Sequence, residues 1–320
     1  MYLFFLSLAA VMMYFLYRKV SWKEDILPGL QTANWWLVLL SFAFGYLATI
    51  IRGLRWNVML EPMGYHANNW TNIHSVAFGY CMNNLVPRSG ELARCTLLNR
   101  AEKIPVDKLI GTVILERIVD VIMLALILFL AFILNADALN NLLTSGNDPN
   151  APESEKSAMV WYILGAGLLG LFFAIWILRK FRHVPFIVKV NSFLTGISIG
   201  LRSVVKLQRK LLFLVYSVGI WTCWVLMTFC IMKALVATQA MDFSDTIFFI
   251  GAGSLGMIVP TPGGAGAFHG MSELAFVALG YERKAGKVFA LISWSGKTTF
   301  DILVGAFGFF IVTSRKIIIK

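Results

Sequence analysis

Along the chain, long apolar stretches alternate with short polar or basic connections, and the stretches have helical rather than strand length. Asn34 to Ile51, Met159 to Leu178 and Leu211 to Met232 are uninterrupted runs of 18, 20 and 22 residues, each ended or flanked by Arg or Lys. A helix needs ~20 apolar residues to cross a bilayer, so these three are predicted spans. Met1 to Tyr17 is apolar, lacks a charge and is followed by Arg18 and Lys19. With no basic segment before it and no small-residue cleavage site after it, it is predicted to be a retained helix. Thr71 to Val86, Leu109 to Leu134 and Phe243 to Thr313 are apolar regions that carry polar groups, and function is expected there. The period-2 alternation of a membrane β-barrel does not recur. The expected fold is an all-α polytopic membrane protein, one domain over residues 1–320 with about seven to nine transmembrane helices.

Composition agrees with the pattern. Of 320 residues 58% are hydrophobic and 14% charged, against roughly 25% charged in soluble domains, which excludes a soluble globular enzyme. The net charge of +11 sits mostly in connections between apolar runs, so orientation and anionic lipid headgroups account for it, not nucleic acid. Residues 135–158 carry a net charge of −3 with Gly146, Pro149 and Pro152, and read as an external loop. Residues 179–210 hold eight Lys and Arg and no acid, and read as cytoplasmic. Within them Phe186, Val190, Phe193, Leu194, Ile197, Leu201 and Val204 recur at helical spacing, as in an amphipathic helix lying in the inner headgroup layer or packed on the rest of the protein. Arg315, Lys316 and Lys320 suggest a cytoplasmic C-terminal end. Counting whole crossings from the external loop does not reach that end cleanly, so one late apolar segment is expected to enter and return on one side. Cys81, Cys95, Cys223 and Cys230 form neither a CxxC pair nor a disulfide framework.

Two segments break the helical rule. Gly79 to Arg94 and Gly253 to Gly266 each place a Val-Pro, Val86-Pro87 and Val259-Pro260, at the end of a short apolar run, followed by glycine. The prolines are 173 residues apart, and each is followed, 33 and 41 residues later, by an acid sharing a helix with a base. This spacing suggests weak repeats over about 34–134 and 211–313. Proline removes a backbone donor, so such a segment at membrane depth must be buried in protein or line a wet cavity. Paired broken segments are the best sequence pointer to a transporter's substrate site, because freed amides at half-helix starts attract anions.

The charges nearby have a consistent sign. Arg88, Glu91 and Arg94 share one face if a helix starts after Pro87. Glu116, Arg117 and Asp120 begin an otherwise lipid-soluble helix and are expected to pair across helices. His269 and Glu273, and Lys297 and Asp301, are i,i+4 neighbours, a spacing that serves a structural ion pair as readily as a site. Arg88, Arg94, Arg117 and Lys297 are expected to line a polar cavity suited to a phosphate-bearing headgroup, with the carboxylates holding the cations in place.

Arg52 with Arg55-Trp56, the stretch Asn84 to Arg94, Glu116-Arg117-Ile118-Val119-Asp120, and Pro260 to Gly266 with Glu273 together resemble the signatures of the flippase-like family, also called the lysylphosphatidylglycerol synthase transmembrane region. The resemblance runs from about Leu30 to Thr313. It implies a domain of the bacterial inner membrane that moves an anionic lipid, aminoacylated or polyprenyl-linked, between leaflets. In larger relatives a soluble synthase domain makes the aminoacylated lipid; these 320 residues hold none, so translocation alone is implied. Taken with the clustering of charge, the expected headgroup site comprises Arg88, Glu91, Arg94, Glu116, Arg117, Asp120, Gly263, Gly264, Gly266, Glu273, Lys297 and Asp301, with Arg52, Arg55, Asn84 and His269 beside it. Membrane lipids with anionic headgroups are the expected partners, and no cofactor or metal is expected.

Two other classes stay open. A polyprenyl-phosphate glycosyltransferase would offer an acidic metal cluster or a poised base, and no DxD, HxxxH or GxSxG arrangement occurs; His66, His74, His183 and His269 are scattered. A small-solute transporter would use the same broken helices. Gly296-Lys297-Thr298 ends like a phosphate loop, but Leu291 replaces the glycine required five positions earlier, so nucleotide binding is not expected there.

Overall fold

A computed structural model describes residues 2–18, 20–138 and 207–318, and among them every regular element is a helix. The predicted span Met159 to Leu178, most of the acidic loop and nearly all of the basic amphipathic segment lie outside the described residues. Ten α-helices follow in order: α1 (Tyr2–Tyr17), α2 (Leu27–Gln31), α3 (Trp35–Leu60), α4 (Asn69–Leu85), α5 (Gly90–Glu102), α6 (Val106–Leu134), α7 (Lys210–Ala234), α8 (Phe243–Gly256), α9 (Ala267–Ala278) and α10 (Arg283–Ile318). Four described helices are long and apolar enough to cross a membrane: Trp35–Met63, Val106–Leu134, Lys210–Ala234 and Arg283–Ser314.

The apolar run expected to end at Ile51 continues as helix to Leu60, carrying Arg52 and Arg55 inside it. Both arginines are buried and paired, which is what permits charged residues to continue a membrane helix. Asn34 starts this helix by accepting from the N–H groups of Trp36 and Leu37, and Asn68 starts α4 by accepting from Trp70. α8 opens with a reciprocal cap in which the Asp242 and Asp245 side chains each accept from the other's backbone N–H.

The short helices come in pairs. α4 and α5, of 17 and 13 residues, form an antiparallel hairpin that turns at Val86 to Ser89 and closes at its base, where the Asn68 N–H donates to Glu102 at 3.3 Å. α8 and α9, of 14 and 12 residues, form a second hairpin that turns at 257–266 and closes where Tyr281 donates to Asp245 at 3.2 Å. At 1.5 Å per residue such helices reach only ~18 to 26 Å, short of a ~30 Å hydrocarbon core. Glycine sets the closeness of the first pair: a methyl group on Gly79 would lie 3.0 Å from the Gly90 carbonyl oxygen.

Each hairpin stands between two long helices, α3 and α6 or α7 and α10. α3 and α7 are antiparallel: the Asn34 N–H donates to the Ala234 carbonyl at one end (2.8 Å), and Arg55 donates to Ser217 toward the other (3.0 Å). The last long helix of each set packs on the first hairpin helix of the other. α10 lies on α4 through Gly305 and Gly308, which leave no room for a side chain against Ala77 and His74. α6 lies on α8, with Leu128 against Gly251 and Asn135 donating to the Ser244 carbonyl (2.9 Å). Small residues at such crossings let backbones approach where lipid offers no hydrophobic drive for helices to associate.

One apolar core gathers near the base of each hairpin. Around the first are Trp56, Leu60, Leu98, Leu109 and Phe213; around the second are Met232, Met241, Phe249, Phe276 and Phe289. The outer faces of the long helices expose Leu40, Leu47, Phe129, Ile133, Val215 and Phe307, as a lipid-facing surface does. Exposed Trp22, Trp35 and Trp36 mark one end of the molecule and exposed Trp70 the other, the placement of interfacial tryptophan.

Candidate functional site

Between the two apolar cores lies a layer of buried charge. Arg52 and Arg55, one turn apart on α3, point at Glu116 and Asp120, one turn apart on α6. Arg52 Nη2 lies 2.5 Å from Asp120 and its Nε 3.3 Å from Glu116; Arg55 Nη2 lies 3.2 Å from Asp120 and 3.6 Å from Glu116. Arg94, brought in by α5, donates to the other oxygen of Glu116 at 3.1 Å. The Glu116 side chain has no exposed surface. The pairing across helices expected for Glu116 and Asp120 is present, with α3 as the main partner.

Aromatic faces and hydroxyls complete the arginine shells. Arg52 donates to the Tyr80 hydroxyl (2.8 Å) and lies 5.3 Å from the Trp224 ring centre; Arg55 lies over Phe213 and Arg94 over Trp56, at 5.6 and 4.8 Å. The Trp56 indole is fixed by Thr112 at 2.7 Å. Cation–π contact strengthens in a desolvated setting, and guanidinium suits it better than ammonium. These supports were not read from sequence. Arg52 and Arg55, placed there beside the site, are at its centre, and their one-turn spacing directly before Trp56 was the available signal.

Arg117 faces the other way. Its closest acid is Glu91 (3.0 Å), with Asp120 and Glu116 at 3.9 and 4.0 Å, and 47% of its side chain is exposed. Arg52, Arg55, Arg94 and Arg117 meet Glu91, Glu116 and Asp120, which among the described residues leaves one positive charge in excess.

The hairpin turns touch each other next to this layer. Arg88 has φ 59°, a left-handed conformation that costs a non-glycine residue roughly 1–2 kcal/mol, and its guanidinium donates across to the Ile258 carbonyl at 3.0 Å. α5 starts only at Gly90, so Arg88 precedes the helix and does not share a helical face with Glu91 and Arg94, as expected from spacing. Asn84 packs against Gly263 and donates to Asp301 at 3.5 Å. Lys297 is 2.5 Å from Asp301 and 5.5 Å from the centre of the Tyr80 ring, so Tyr80 links the turn region to Arg52. The Lys297 side chain is 43% exposed and Arg88 is exposed, so three cations, Arg88, Arg117 and Lys297, present accessible N–H groups here, while Arg94 is buried against Glu116 and Trp56. An open apolar groove of about 320 Å³, lined by Phe42, Ser295, Gly296, Thr299, Phe300 and Leu303, runs along α10 beside Lys297.

Two expectations are corrected. One amide at each helix start, among those expected to be free for an anion, is taken by a side chain: Gly90 N–H donates to Asn83 Oδ1 (2.8 Å) and Gly266 N–H to His269 Nδ1 (3.3 Å). His269 and Glu273 do not join this group and do not bond each other; Glu273 holds Arg283 (3.1 Å) and Lys287 (3.6 Å), and His269 sits among Tyr17, Phe268 and Trp294. Gly263, Gly264 and Gly266 all have positive φ, at 55°, 74° and 81°, which is why glycine occupies them. Trp294 donates to the Gly263 carbonyl at 2.6 Å, a contact with no signal in the sequence. Among the described residues no group of His, Cys, Asp and Glu has the arrangement of a metal site.

No curated protein and no solved structure matches the chain. The family described as Lysylphosphatidylglycerol synthase TM region matches residues 2–305, nearly the whole chain, in keeping with an all-helical membrane domain. This integral membrane protein belongs to that family.

Proposed function

We propose that the protein moves an anionic, phosphate-bearing lipid between leaflets. The observation that carries the reading is the meeting of the two hairpin turns, where Arg88, Arg117 and Lys297 keep accessible N–H groups beside a buried layer with excess positive charge. An isolated ion in an apolar medium costs tens of kcal/mol by Born solvation, so a headgroup needs such groups along its path. Arginine forks bind phosphate oxygens in pairs, and the acyl chains remain in hydrocarbon, where α10 offers an apolar groove at Phe42 and Phe300.

The charge distribution supports a sidedness. Arg100, Lys103 and Lys108 lie around the base of the first hairpin, and the eight-cation segment 179–210 leads through Arg209 and Lys210 into the same end, which supports a cytoplasmic reading of it. The second hairpin then enters from the opposite face, and α10 returns the chain to the basic 315–320 end. In this reading both hairpins are re-entrant, their turns meet at mid-membrane, and α3–α6 and α7–α10 are inverted repeats whose exchange of conformation opens the site to either side. It also accounts for the late segment that enters and returns on one side. The bacterial inner membrane fits this orientation.

The test is leaflet exchange of headgroup-labelled phosphatidylglycerol in proteoliposomes. Exchange without a chemical product is expected, lost to background in Arg88→Ala and Arg117→Ala and partly restored in the corresponding Lys variants, because the bidentate fork is missing. A new lipid product points to an enzyme instead, and uptake of a soluble solute without lipid exchange points to a solute transporter.

A further inference from the structure

The turn of the second hairpin is held by three elements. Trp294 on α10 binds the Gly263 carbonyl, Met12 on α1 fills the space a side chain on Gly266 would need, and His269, one turn into α9, accepts the Gly266 N–H through Nδ1. An accepting Nδ1 places the imidazole proton on Nε2. His269 is completely buried, and among the described residues its Nε2 has no hydrogen-bond partner. Its ring lies 5.6 Å from Tyr17 and 5.2 Å from Trp294, centre to centre.

We propose that His269 is a proton-binding site whose occupancy releases this turn, and, resting on the lipid-transport reading above, that the proton gradient drives exchange. A proton taken up at Nδ1 converts the acceptor of the Gly266 contact into a second donor facing the same N–H. It also sets a cation in the first turn of α9, where the helix dipole is positive. Both effects oppose the closed turn. The nearest acid on the same helix is Glu273, one turn further on and held by Arg283 and Lys287, so it can favour the imidazolium only once one of them lets go. Facing this region are Arg283 and Lys287 from α10, both on Glu273, and Tyr17 from α1, whose hydroxyl donates to the Lys287 carbonyl; α8 contributes the phenyl ring of Phe249 against Phe268. Arg283 is mostly exposed, so it can return to water as the imidazolium turns to Glu273. Atoms and charge balance: one proton leaves bulk water, one positive charge appears on His269, and one backbone contact breaks.

Imidazole nitrogen NMR of the full chain in nanodiscs tests the site, since four histidines give a readable spectrum. The signal that His269→Gln removes is assigned to His269; should that variant fail to insert, the ring-current shift caused by Trp294→Phe assigns it. Expected at about pH 7 is a ring protonated on Nε2 alone, converting on acidification to the doubly protonated form together with loss of the Gly266 amide's protection. The reverse tautomer, or one unchanged form down to about pH 4, overturns the proton site. Lipid exchange is then compared with the compartments at equal pH and with an imposed difference of about two units. Acceleration of about fivefold or more in the native chain and none in His269→Gln is expected, glutamine being able to accept the Gly266 N–H without titrating. Equal rates with and without the gradient overturn the coupling and leave lipid transport standing. Absence of exchange under every condition overturns the lipid reading and the coupling, while the NMR result decides the proton site alone.

Discussion

Glu116 is the residue on which the buried layer depends, because arginines from α3 and α5 converge on its two oxygens. Removing its charge leaves buried Arg94 without a carboxylate partner and Arg52 and Arg55 sharing Asp120 alone, at a cost of about 3–5 kcal/mol for breaking such a pair. Asp301→Asn should cost only about 0–1 kcal/mol, since its partner Lys297 is partly open to solvent. Thermal unfolding in one detergent should therefore show a large fall for Glu116→Gln and a small one for Asp301→Asn; equal falls would mean the layer is not the stabilising unit. Acid sensitivity is expected at the start of α8. The Asp245 N–H and the Ser244 hydroxyl donate to Asp242 and hold its carboxyl below the usual carboxylate range. A lowered folded value means that this contribution is complete above the ordinary value of about 4 and is lost as pH falls through the lowered one. Amide protection at Asp245 and Thr246 should fall in that acid window in the native chain. In Asp242→Asn, which still caps, the same step should be absent.

At the scale of elements, the first hairpin tests how closely two helices must approach. A methyl group on Gly90 would run into the Gly79 carbonyl and the Asn83 side chain, while one on Gly111, at the exposed face of α6, meets nothing within 4 Å. Gly90→Ala should separate α4 from α5, draw Arg94 from Glu116 and lower stability by about 1–3 kcal/mol, as overpacking does. Gly111→Ala should raise stability by about 1 kcal/mol through helix propensity, and the two melting curves distinguish the effects. Helices of this kind were legible from sequence because apolar length and a Val-Pro break followed by glycine are local properties. The end of α3 was not, since nothing local says that Arg52 and Arg55 meet acids over 60 residues away. The same limit applies at the turns: Val-Pro-Arg marks a break, but the left-handed Arg88 that reaches Ile258 is set by the other hairpin. His269 and Glu273 had helical pair spacing, yet a closer amide and two lysine- and arginine-bearing turns of α10 took their partners.

For the whole molecule, the antiparallel contact of α3 with α7 and the exchange of contacts between α6–α8 and α4–α10 make a definite demand on sidedness. If the two sets are inverted repeats, the hairpin bases must open to opposite faces of the membrane. Arg100, near the end of α5, and Glu282, just before α10, are exposed and hold no ion pair among the described residues. The four cysteines are buried, so the native chain gives a low background with a thiol reagent that cannot cross the bilayer. In right-side-out vesicles Glu282→Cys should label while they are intact, and Arg100→Cys only after they are opened. Labelling of both from one face would make the repeats parallel and remove the route by which a single site faces each leaflet in turn. Labelling from opposite faces would leave the two turns nowhere to meet except within the bilayer, since each base lies in water and Arg88 bonds to Ile258 directly.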